Sequence, residues 1–367
     1  MKNIAIGYLD SNIGGVNKHI VTVVNTIRDK FDKIILLSTG QLAKPYMEML
    51  SEIDNVVIEI IPTSSHIISN YKCIKKILKE NNIKVFYNNL STNIPCFGLI
   101  AAKKLKISRR ITHSHSSGLD IKNSFKRMVY YLINLLFRIV VNYYTTDFLA
   151  CSEMAANWLF GRKDYVFIPN AVDKKRFTDV KVDCSLKTSL RIKDNKYIIG
   201  FIGRFSYQKN IDFIFELIKK MDKQRYHFLL IGDGPEISKI NFLIREMNYD
   251  NITLLSSQSD IEIYYKLMDV FILPSRFEGL PIVGVEAQMA LTKCIFSSKI
   301  TKQSSISNVC EFLPIKPLSK SLVLWEKSIK NLVSIKVDVT VSNFMFEMEY
   351  FSKLINSVLL DEGEKRD

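Results

Sequence analysis

The chain has 367 residues, which is more than one hydrophobic core usually supports, so its length predicts two domains. Hydrophobic residues make up 47% and charged residues 24%, a balance that excludes disordered and collagen-like proteins. The formal net charge is +14 and unevenly spread, because residues 1–170 carry 22 Lys and Arg against 12 Asp and Glu.

Three features bear on where the protein works. The opening MKNIAIGYLDSNIGG passes from a short apolar run directly into polar residues, so no signal peptide is predicted. No uncharged apolar run reaches the roughly 18 residues that a membrane-spanning helix needs, so none is expected. The six cysteines show no C-x-x-C pair, which predicts reduced thiols in a cytoplasmic protein.

Short apolar runs alternate with longer amphipathic segments, a pattern that predicts βα units around parallel sheets. In the first half we predict strands at 3–7, 33–37, 56–60, 85–87, 110–113, 148–150 and 165–168, with helices that include 17–28 and 72–80. In the second half we predict strands at 197–202, 227–231, 252–254, 270–273 and 294–297, with helices at 212–221, 237–247, 261–268 and 281–290. The polar stretch 170–196 is the predicted linker, and 343–360 is predicted to be helical. The predicted domains are therefore 1–170 and 171–342, with a terminal segment at 343–367.

Ligands of such α/β folds bind at the carboxyl ends of strands, so the loops there are candidate sites. Gly14 and Gly15 follow the first strand and precede a helix, where backbone amides can meet a phosphate. A tight βα turn explains the same glycines equally well. The pattern is not G-x-G-x-x-G, so the dinucleotide fingerprint is absent.

A basic segment lies between Lys103 and Arg138, where nine basic residues accompany one acid, Asp120. Such a segment suits an anionic surface: membrane phospholipid, nucleic acid or a pyrophosphate-bearing substrate. A solvated basic face is the simpler alternative. Apolar and aromatic residues are interspersed here, from Phe125 to Phe137, and they favour a membrane surface.

Two histidines, His113 and His115, alternate in THSHSS at the end of a predicted strand, so both point to the same side. Histidines hydrogen-bonded in a loop are the more economical interpretation, because no third ligand stands at metal spacing. No D-x-D pair occurs, which argues against metal-dependent glycosyl or phosphoryl chemistry.

In the second half, GRFSYQKNI begins at Gly203 and places Arg204 and Lys209 just after a strand. A guanidinium and an ammonium there could clamp a pyrophosphate, although two surface cations are as common in so basic a chain. The next strand is followed by GDGPE, which contains Gly234 and is also typical of an ordinary turn.

The stretch SRFEGLPIVGVEAQ places Glu278 in a loop and Glu286 within the helix that follows. Buried carboxylates need partners, and vicinal sugar hydroxyls are suitable ones. The amides of Gly279 and Leu280 lie at the predicted start of that helix and could meet a phosphate. A nucleotide-sugar would satisfy both acids and the amides.

Together, GRFSYQKN, IGDGPE, PSRFEGLPIVGVEAQ, CSEMAANWLFG and FIPNAVD resemble the family-4 retaining glycosyltransferases of the GT-B fold. The likeness runs from the Gly-Gly loop to about Pro314 and is greatest to the branch that builds bacterial capsule and exopolysaccharide. It implies two Rossmann-like domains with parallel sheets facing a central cleft, an acceptor-binding first domain and a donor-binding second domain. It also implies a last helix that crosses back to the first domain.

The resemblance further implies roles for single residues. Arg204 and Lys209 would neutralise the leaving diphosphate, Glu286 would hold the ribose, and Glu278 the transferred sugar. Gly203, Gly234, Gly279 and Leu280 would line the donor site, and Gly14 and Gly15 would meet the diphosphate from the first domain. His115 would face the sugar, His113 being the less suited to that role. No metal or other cofactor is expected.

Two departures from the family pattern stand out. Residues 290–293 (ALTK) replace the usual Gly-x-Pro after the helix, which leaves the shape of that turn open. Ser256 and Gln258 replace the usual Gly and Arg near the nucleobase, so uridine is favoured only because this branch mostly uses it.

The resulting expectation is transfer of a sugar from a UDP-sugar to a lipid-linked saccharide, by a cytoplasmic protein at the inner face of the plasma membrane. An alternative is a GT-B UDP-N-acetylglucosamine epimerase, although its acid and base groups are not evident. A nucleic-acid-binding protein is the other alternative, suggested by charge alone, and no nucleic-acid partner is expected.

Overall fold

The computed structural model describes residues 2–12, 14–161, 164–180, 185–342 and 344–360. Within these residues the chain forms two compact units. The first contains the described residues of 2–119, 123–171 and 345–360, and the second contains those of 120–122 and 172–344. None of the described helices is both long enough and apolar enough to span a membrane.

The described part of the first unit contains a parallel sheet of seven strands. The strands are β1 (Asn3–Leu9), β2 (Lys33–Ser38), β3 (Val56–Ile60), β4 (Val85–Leu90), β5 (Arg109–Ser114), β6 (Asp147–Ala150) and β7 (Val166–Phe167). The helices are α1 (Gly15–Ile27), α2 (Lys44–Ser51), α3 (Ile67–Glu80), α4 (Phe97–Lys104), α5 (Ser124–Tyr144) and α6 (Glu153–Leu159). The order β3-β2-β1-β4-β5-β6-β7 reverses between β1 and β4, which is where ligands bind in such sheets.

The core of the first unit combines distant parts of the sequence. The apolar residues of β1 are buried, as expected for a central parallel strand covered on both faces. Helix α14 (Met348–Leu360) belongs to the same core, because Phe351, Ile355 and Leu359 recur every four residues and are each 0% exposed. The last described helix therefore packs in the unit that begins the chain.

The described part of the second unit has a parallel sheet of six strands in the order β10-β9-β8-β11-β12-β13. They are β8 (Tyr197–Ile202), β9 (Tyr226–Ile231), β10 (Ile252–Leu255), β11 (Val270–Leu273), β12 (Lys293–Ser297) and β13 (Cys310–Leu313). The helices are α7 (Lys174–Thr178), α8 (Ser185–Ser189), α9 (Ile211–Lys220), α10 (Ile237–Met247), α11 (Ile261–Leu267), α12 (Ile282–Met289) and α13 (Leu318–Ser334). This order reverses between β8 and β11.

Every predicted strand is present, usually within two residues of its predicted ends, and two parallel Rossmann-like sheets are confirmed. The prediction missed β13, whose four residues are only partly buried. It also treated 170–196 as a plain linker, whereas α7 and α8 lie there. Cys184 and Asn343 lie outside the described residues. Of the other cysteines, Cys96, Cys151 and Cys294 are buried, and Cys73 and Cys310 are partly buried.

Candidate active site

The first candidate site lies in the second unit, where the loops after β8 and β11 meet. The Arg276 amide donates to the Gln208 carbonyl at 2.8 Å, and Asn210 Nδ2 donates to the Pro274 carbonyl at 3.0 Å. Both loops follow the strands between which the sheet order reverses. The predicted donor segment 203–209 is therefore in contact with residues 276–278 of the second segment.

Glu278 is buried, 5% exposed, and its carboxylate is held by two neighbours. Lys209 Nζ donates to Oε1 at 2.7 Å and Gln208 Nε2 donates to Oε2 at 2.8 Å. Gln208 Nε2 also donates to the Phe277 carbonyl at 3.1 Å, and the Gln208 amide donates to Asp120 Oδ1 at 2.8 Å. Lys209 therefore pairs directly with Glu278, a contact that the separate roles predicted for the two residues did not include.

Arg204 is exposed, and no hydrogen bond or ion pair joins its side chain to another described residue. It follows Gly203, whose φ of +154° lies outside the range that residues with a Cβ adopt readily. The neighbouring turn is equally dependent on glycine. A Cβ on Gly232 would collide with the Gly203 carbonyl oxygen, and one on Gly234 with the backbone of Phe205. The loops after β8 and β9 thus pack backbone against backbone and leave the guanidinium outside.

Glu286 lies in α12 and is 1% exposed. Its Oε2 accepts a hydrogen bond from the Tyr265 hydroxyl at 3.2 Å. Burial, reinforced by the nearby carboxylate, raises the pKa of Tyr265 well above its usual value, so the hydroxyl remains a donor. Gly279 and Leu280 are buried just before Pro281, the residue that caps α12.

In the first unit, Gly14 caps α1 with an ordinary φ of −128°, and Gly15 is the first residue of the helix. A Cβ on Gly14 would meet nothing within 4 Å, so internal packing does not require glycine there. Asn17 Nδ2 closes the preceding loop by donating to the carbonyls of Asp10, at 2.9 Å, and Asn12, at 2.7 Å. The open N-terminus of α1 remains suited to an anion.

A histidine cluster lies near the point where the first sheet reverses. His19 of α1 joins His113 and His115, with ring centroids 4.7 Å from each and 4.1 Å between the latter two. The Tyr87 hydroxyl lies 3.0 Å from His19 Nε2 and 2.6 Å from His113 Nδ1. Because His113 is completely buried while His115 is partly exposed, His115 is the better placed to meet a ligand.

Burial keeps the cluster uncharged. It lowers the pKa of His19 to about 3 and the pKa values of His113 and His115 well below their usual range. For His113 and His115 the neighbouring imidazoles add to this effect. The cluster can therefore offer neutral donors and acceptors, but no positive charge, near neutral pH.

His19 also corrects the expectation that no third metal ligand is present. One ring nitrogen from each of the three histidines lies within 4.8 Å of the others. Zinc holds imidazole nitrogen at about 2.0–2.1 Å, so three donors would have to draw closer to share one ion. Independence from metal stays a prediction.

The sequence interpretation missed four residues that hold these sites: Gln208, Tyr265, His19 and Asn89. Gln208 directly precedes Lys209, so its neighbour could have drawn attention to it. The others lie far along the chain from the residues they contact and have no local signature.

Comparison with known proteins gives these loops a context. Residues 185–307 match the family model described as glycosyl transferases group 1. EpsF of Bacillus subtilis (strain 168), which bears the name of a glycosyltransferase, is 30% identical over 216 residues, 56% of each chain. The N,N'-diacetylbacillosaminyl-diphospho-undecaprenol alpha-1,3-N-acetylgalactosaminyltransferase of Campylobacter jejuni is 24% identical over 327 residues, 84% of each chain.

Among solved structures, Anabaena HepE in complex with UDP-glucose superposes with a TM-score of 0.74. The identity is 13%, and the match covers 98% of this chain and 100% of HepE, so it establishes the fold. The chain therefore has the GT-B fold that its motifs predicted, and its residues 185–307 are similar to glycosyl transferases group 1. The alignment with EpsF spans little more than half of that protein.

Proposed function

We propose that the protein transfers a sugar, with retention of anomeric configuration, from a UDP-sugar to a lipid-linked saccharide in the synthesis of a cell-surface polysaccharide. The observation that carries this proposal is the contact between the loop after β8, which contains Arg204 and Lys209, and the loop after β11, which contains the buried Glu278, where the sheet order reverses. A second buried carboxylate, Glu286, lies on the helix that follows the latter loop. The Campylobacter relative, whose name specifies a diphospho-undecaprenol acceptor, supports the choice of acceptor.

In this reaction the bond between the anomeric carbon and the donor phosphate oxygen breaks, and the diphosphate takes the electron pair. Arg204 and Lys209 stabilise that negative charge, an effect worth about 3 kcal/mol per preorganised donor. Glu286 accepts hydrogen bonds from the ribose, and Glu278 from the sugar hydroxyls. The acceptor oxygen attacks from the face that the diphosphate leaves, and its proton passes to a donor phosphate oxygen. No metal is required, because the two cations take its place.

The nucleotide assignment is tested by thermal unfolding with UDP, GDP, ADP or NAD. A nucleotide at about 100 times its dissociation constant stabilises the native state by about 2.7 kcal/mol. We expect a shift with UDP that Glu286→Gln largely removes. Glu216→Gln, at a partly exposed acid on α9, should leave the shift intact. Absence of a shift with every nucleotide would contradict the proposal, and a shift with GDP alone would change the donor.

Retention is tested by the NMR coupling of the anomeric proton in the transferred sugar. The coupling should report the same configuration in donor and product.

We expect Arg204→Ala to lower kcat about 100-fold. Its Tm should change little, because the side chain is exposed and makes no hydrogen bond or ion pair with another described residue.

We further propose that helix α5 binds an anionic membrane surface. Phe125, Met128, Leu132, Leu136, Ile139 and Tyr143 recur every three or four residues on this helix and are 52–73% exposed. A continuous exposed apolar stripe of this kind marks an interaction surface. Exposed Lys103, Lys104, Lys106 and Lys126 belong to the same unit, and they favour anionic lipid over an uncharged partner.

The basic segment contributes less charge to this surface than its sequence indicates. Arg110 is buried and donates to the Tyr144 and Ile107 carbonyls, and Arg138 donates to the Trp158 carbonyl. Arg109 pairs with Asp147 at 3.2 Å. These three arginines hold the fold together, so the lysines and the apolar stripe carry the proposal.

Sedimentation with vesicles tests the surface. We expect binding to phosphatidylcholine vesicles that contain phosphatidylglycerol, weakened by salt, and little binding to pure phosphatidylcholine. Phe125→Ser/Leu136→Ser/Ile139→Ser should abolish it, whereas Leu318→Ser/Val323→Ser/Leu324→Ser, at exposed positions of the second unit, should not. Equal binding by both triple variants, or none to any vesicle, would refute the role of α5.

A further inference from the structure

The partner that His115 makes through Nε2 determines what its other ring nitrogen can do. Asn89 Nδ2 lies 3.0 Å from the Gly7 carbonyl, which can only accept a hydrogen bond. This contact fixes the amide orientation and directs Asn89 Oδ1 toward His115 Nε2, 2.8 Å away. Since an amide oxygen can only accept, Nε2 must carry the proton.

The second ring nitrogen of His115 is then defined by elementary chemistry. Burial, together with the nearby His19, lowers the pKa of His115, so the ring is neutral and bears one proton. With that proton on Nε2, Nδ1 keeps its lone pair. No other hydrogen bond involves the His115 side chain within the described residues, so Nδ1 is open to a ligand.

We propose that Asn89 is a positioning residue, which holds His115 as the Nε2–H tautomer so that Nδ1 accepts a hydrogen bond from a hydroxyl of the transferred sugar. The assignment of the ligand rests on the proposed glycosyl transfer, whereas the tautomer does not. An acceptor nitrogen selects a hydroxyl, which can donate, over a ring or phosphate oxygen, which cannot.

The rest of the cluster supports this arrangement. The Tyr87 hydroxyl lies between His19 Nε2 and His113 Nδ1 and has one proton to donate, so it can donate to one ring and accept from the other. His19 and His113 are thereby committed to internal bonds on these nitrogens. Their other ring nitrogens, His19 Nδ1 and His113 Nε2, are buried and have no partner at hydrogen-bond geometry. Among the three, only His115 is partly exposed.

The tautomer can be measured without any substrate. In protein labelled with 15N-histidine, long-range 1H–15N spectra at pH 7.5 distinguish Nε2–H from Nδ1–H imidazole, and His115→Gln identifies the signals. We expect His115 to be the pure Nε2–H form, with EDTA present to exclude a bound metal. A pure Nδ1–H form, or an imidazolium, would overturn the proposal.

Two variants test the role of Asn89. Asn89→Leu removes the acceptor, so His115 should populate both tautomers. Asn88→Leu is the matched control, because Asn88 is also buried on β4 but, by strand alternation, faces the other side of the sheet. It should leave the tautomer unchanged. If Asn89→Leu does not fold, Asn89→Asp retains an acceptor and should retain Nε2–H while raising the pKa of His115.

Kinetics then connect the tautomer to the sugar. For whichever of UDP-glucose, UDP-galactose and UDP-N-acetylglucosamine is turned over, Asn89→Leu should lower kcat/KM about tenfold, the effect of one hydrogen bond. The thermal shift with UDP should remain, because UDP lacks the sugar. An unchanged kcat/KM would refute the contact between His115 and the sugar but not the tautomer. Absence of a UDP shift in the wild type would contradict only the donor assignment.

Discussion

The histidine cluster of the first unit and the carboxylate loops of the second bury polar groups in opposite ways. His19, His113 and His115 give up their charge, since burial and mutual proximity disfavour protonation. Glu278 is held instead by a cation, Lys209, and by the Gln208 amide. Unit 1 can thus offer neutral hydrogen-bonding groups, and unit 2 offers formal charges.

This contrast fits the chemistry of a nucleotide-sugar. Sugar hydroxyls are neutral and need donors and acceptors at fixed positions, whereas a departing diphosphate needs positive charge. A protonated histidine beside the sugar would disfavour an oxocarbenium-like transition state by like-charge repulsion. In the proposed reaction, the lowered pKa of His115 would avoid that repulsion near neutral pH.

The largest predicted effect concerns pH, and it sets the two units apart. An unfolded histidine takes up a proton below about pH 6.5, whereas folded His19 does so only near pH 3. Unfolding is therefore accompanied by proton uptake between about pH 6.5 and pH 3, so the free energy of unfolding falls as the pH drops through this range. The loss approaches about 1.4 kcal/mol per pH unit for each buried histidine. Above about pH 7 these residues make no further difference.

The measurement can follow each unit separately. The chain has two tryptophans, Trp158 in the first unit and Trp325 in the second, so 5-fluorotryptophan gives one 19F signal for each. As the pH is lowered from 7.5 to 5, the urea concentration at the midpoint of unfolding should fall more steeply for the Trp158 signal than for the Trp325 signal. The second unit contains one histidine of lowered pKa, His227, among its described residues. Parallel pH dependence of both signals would contradict the neutral-cluster interpretation.

The next effect tests the charged pair. Lys209→Met leaves the buried Glu278 carboxylate without its cation, and such loss of one partner costs about 3–5 kcal/mol. In Lys209→Met/Glu278→Gln no unpaired charge remains, so most of that stability should return. Urea unfolding at pH 7.5 of both single variants and the double variant measures the coupling. Additive effects would mean that Glu278 reaches water and that the ion pair contributes little.

The elements of both sheets could be predicted because buried parallel strands are continuous apolar runs, as in β8 (YIIGFI) and β9 (YHFLLI). The two loops could also be singled out as candidates, since Arg204, Lys209, Glu278 and Glu286 form a local pattern in two short segments; their role in donor binding stays a prediction. The pairing of Lys209 with Glu278 could not, because it depends on how two loops 69 residues apart approach each other.

The histidine cluster shows the same limit. His113 and His115 were singled out by alternation, but His19 and Asn89 join them only through the positions of α1 and β4 beside β5. For the basic segment, composition overstated the charge at the surface. Its composition indicated a surface patch, yet Arg109, Arg110 and Arg138 are used in internal contacts that composition does not reveal.

The smallest predicted effect concerns backbone rather than charge, in the turn after Glu286 where ALTK replaces the family's glycine-containing sequence. Leu291 follows α12 with φ of +63°, the left-handed conformation that costs a residue with a Cβ about 1–2 kcal/mol. Its side chain is 44% exposed, so little packing is lost on truncation. Leu291→Gly should therefore stabilise the second unit by about 0.5–1 kcal/mol, since glycine's greater freedom in the unfolded chain offsets part of the gain.

The Trp325 signal in urea measures this gain in stability, with Leu291→Ala, which keeps the Cβ, as the control. A destabilised glycine variant would mean that the Leu291 side chain contributes packing that its exposure does not show. Because Glu286 lies on α12 itself, UDP binding should be unchanged if the turn keeps its shape.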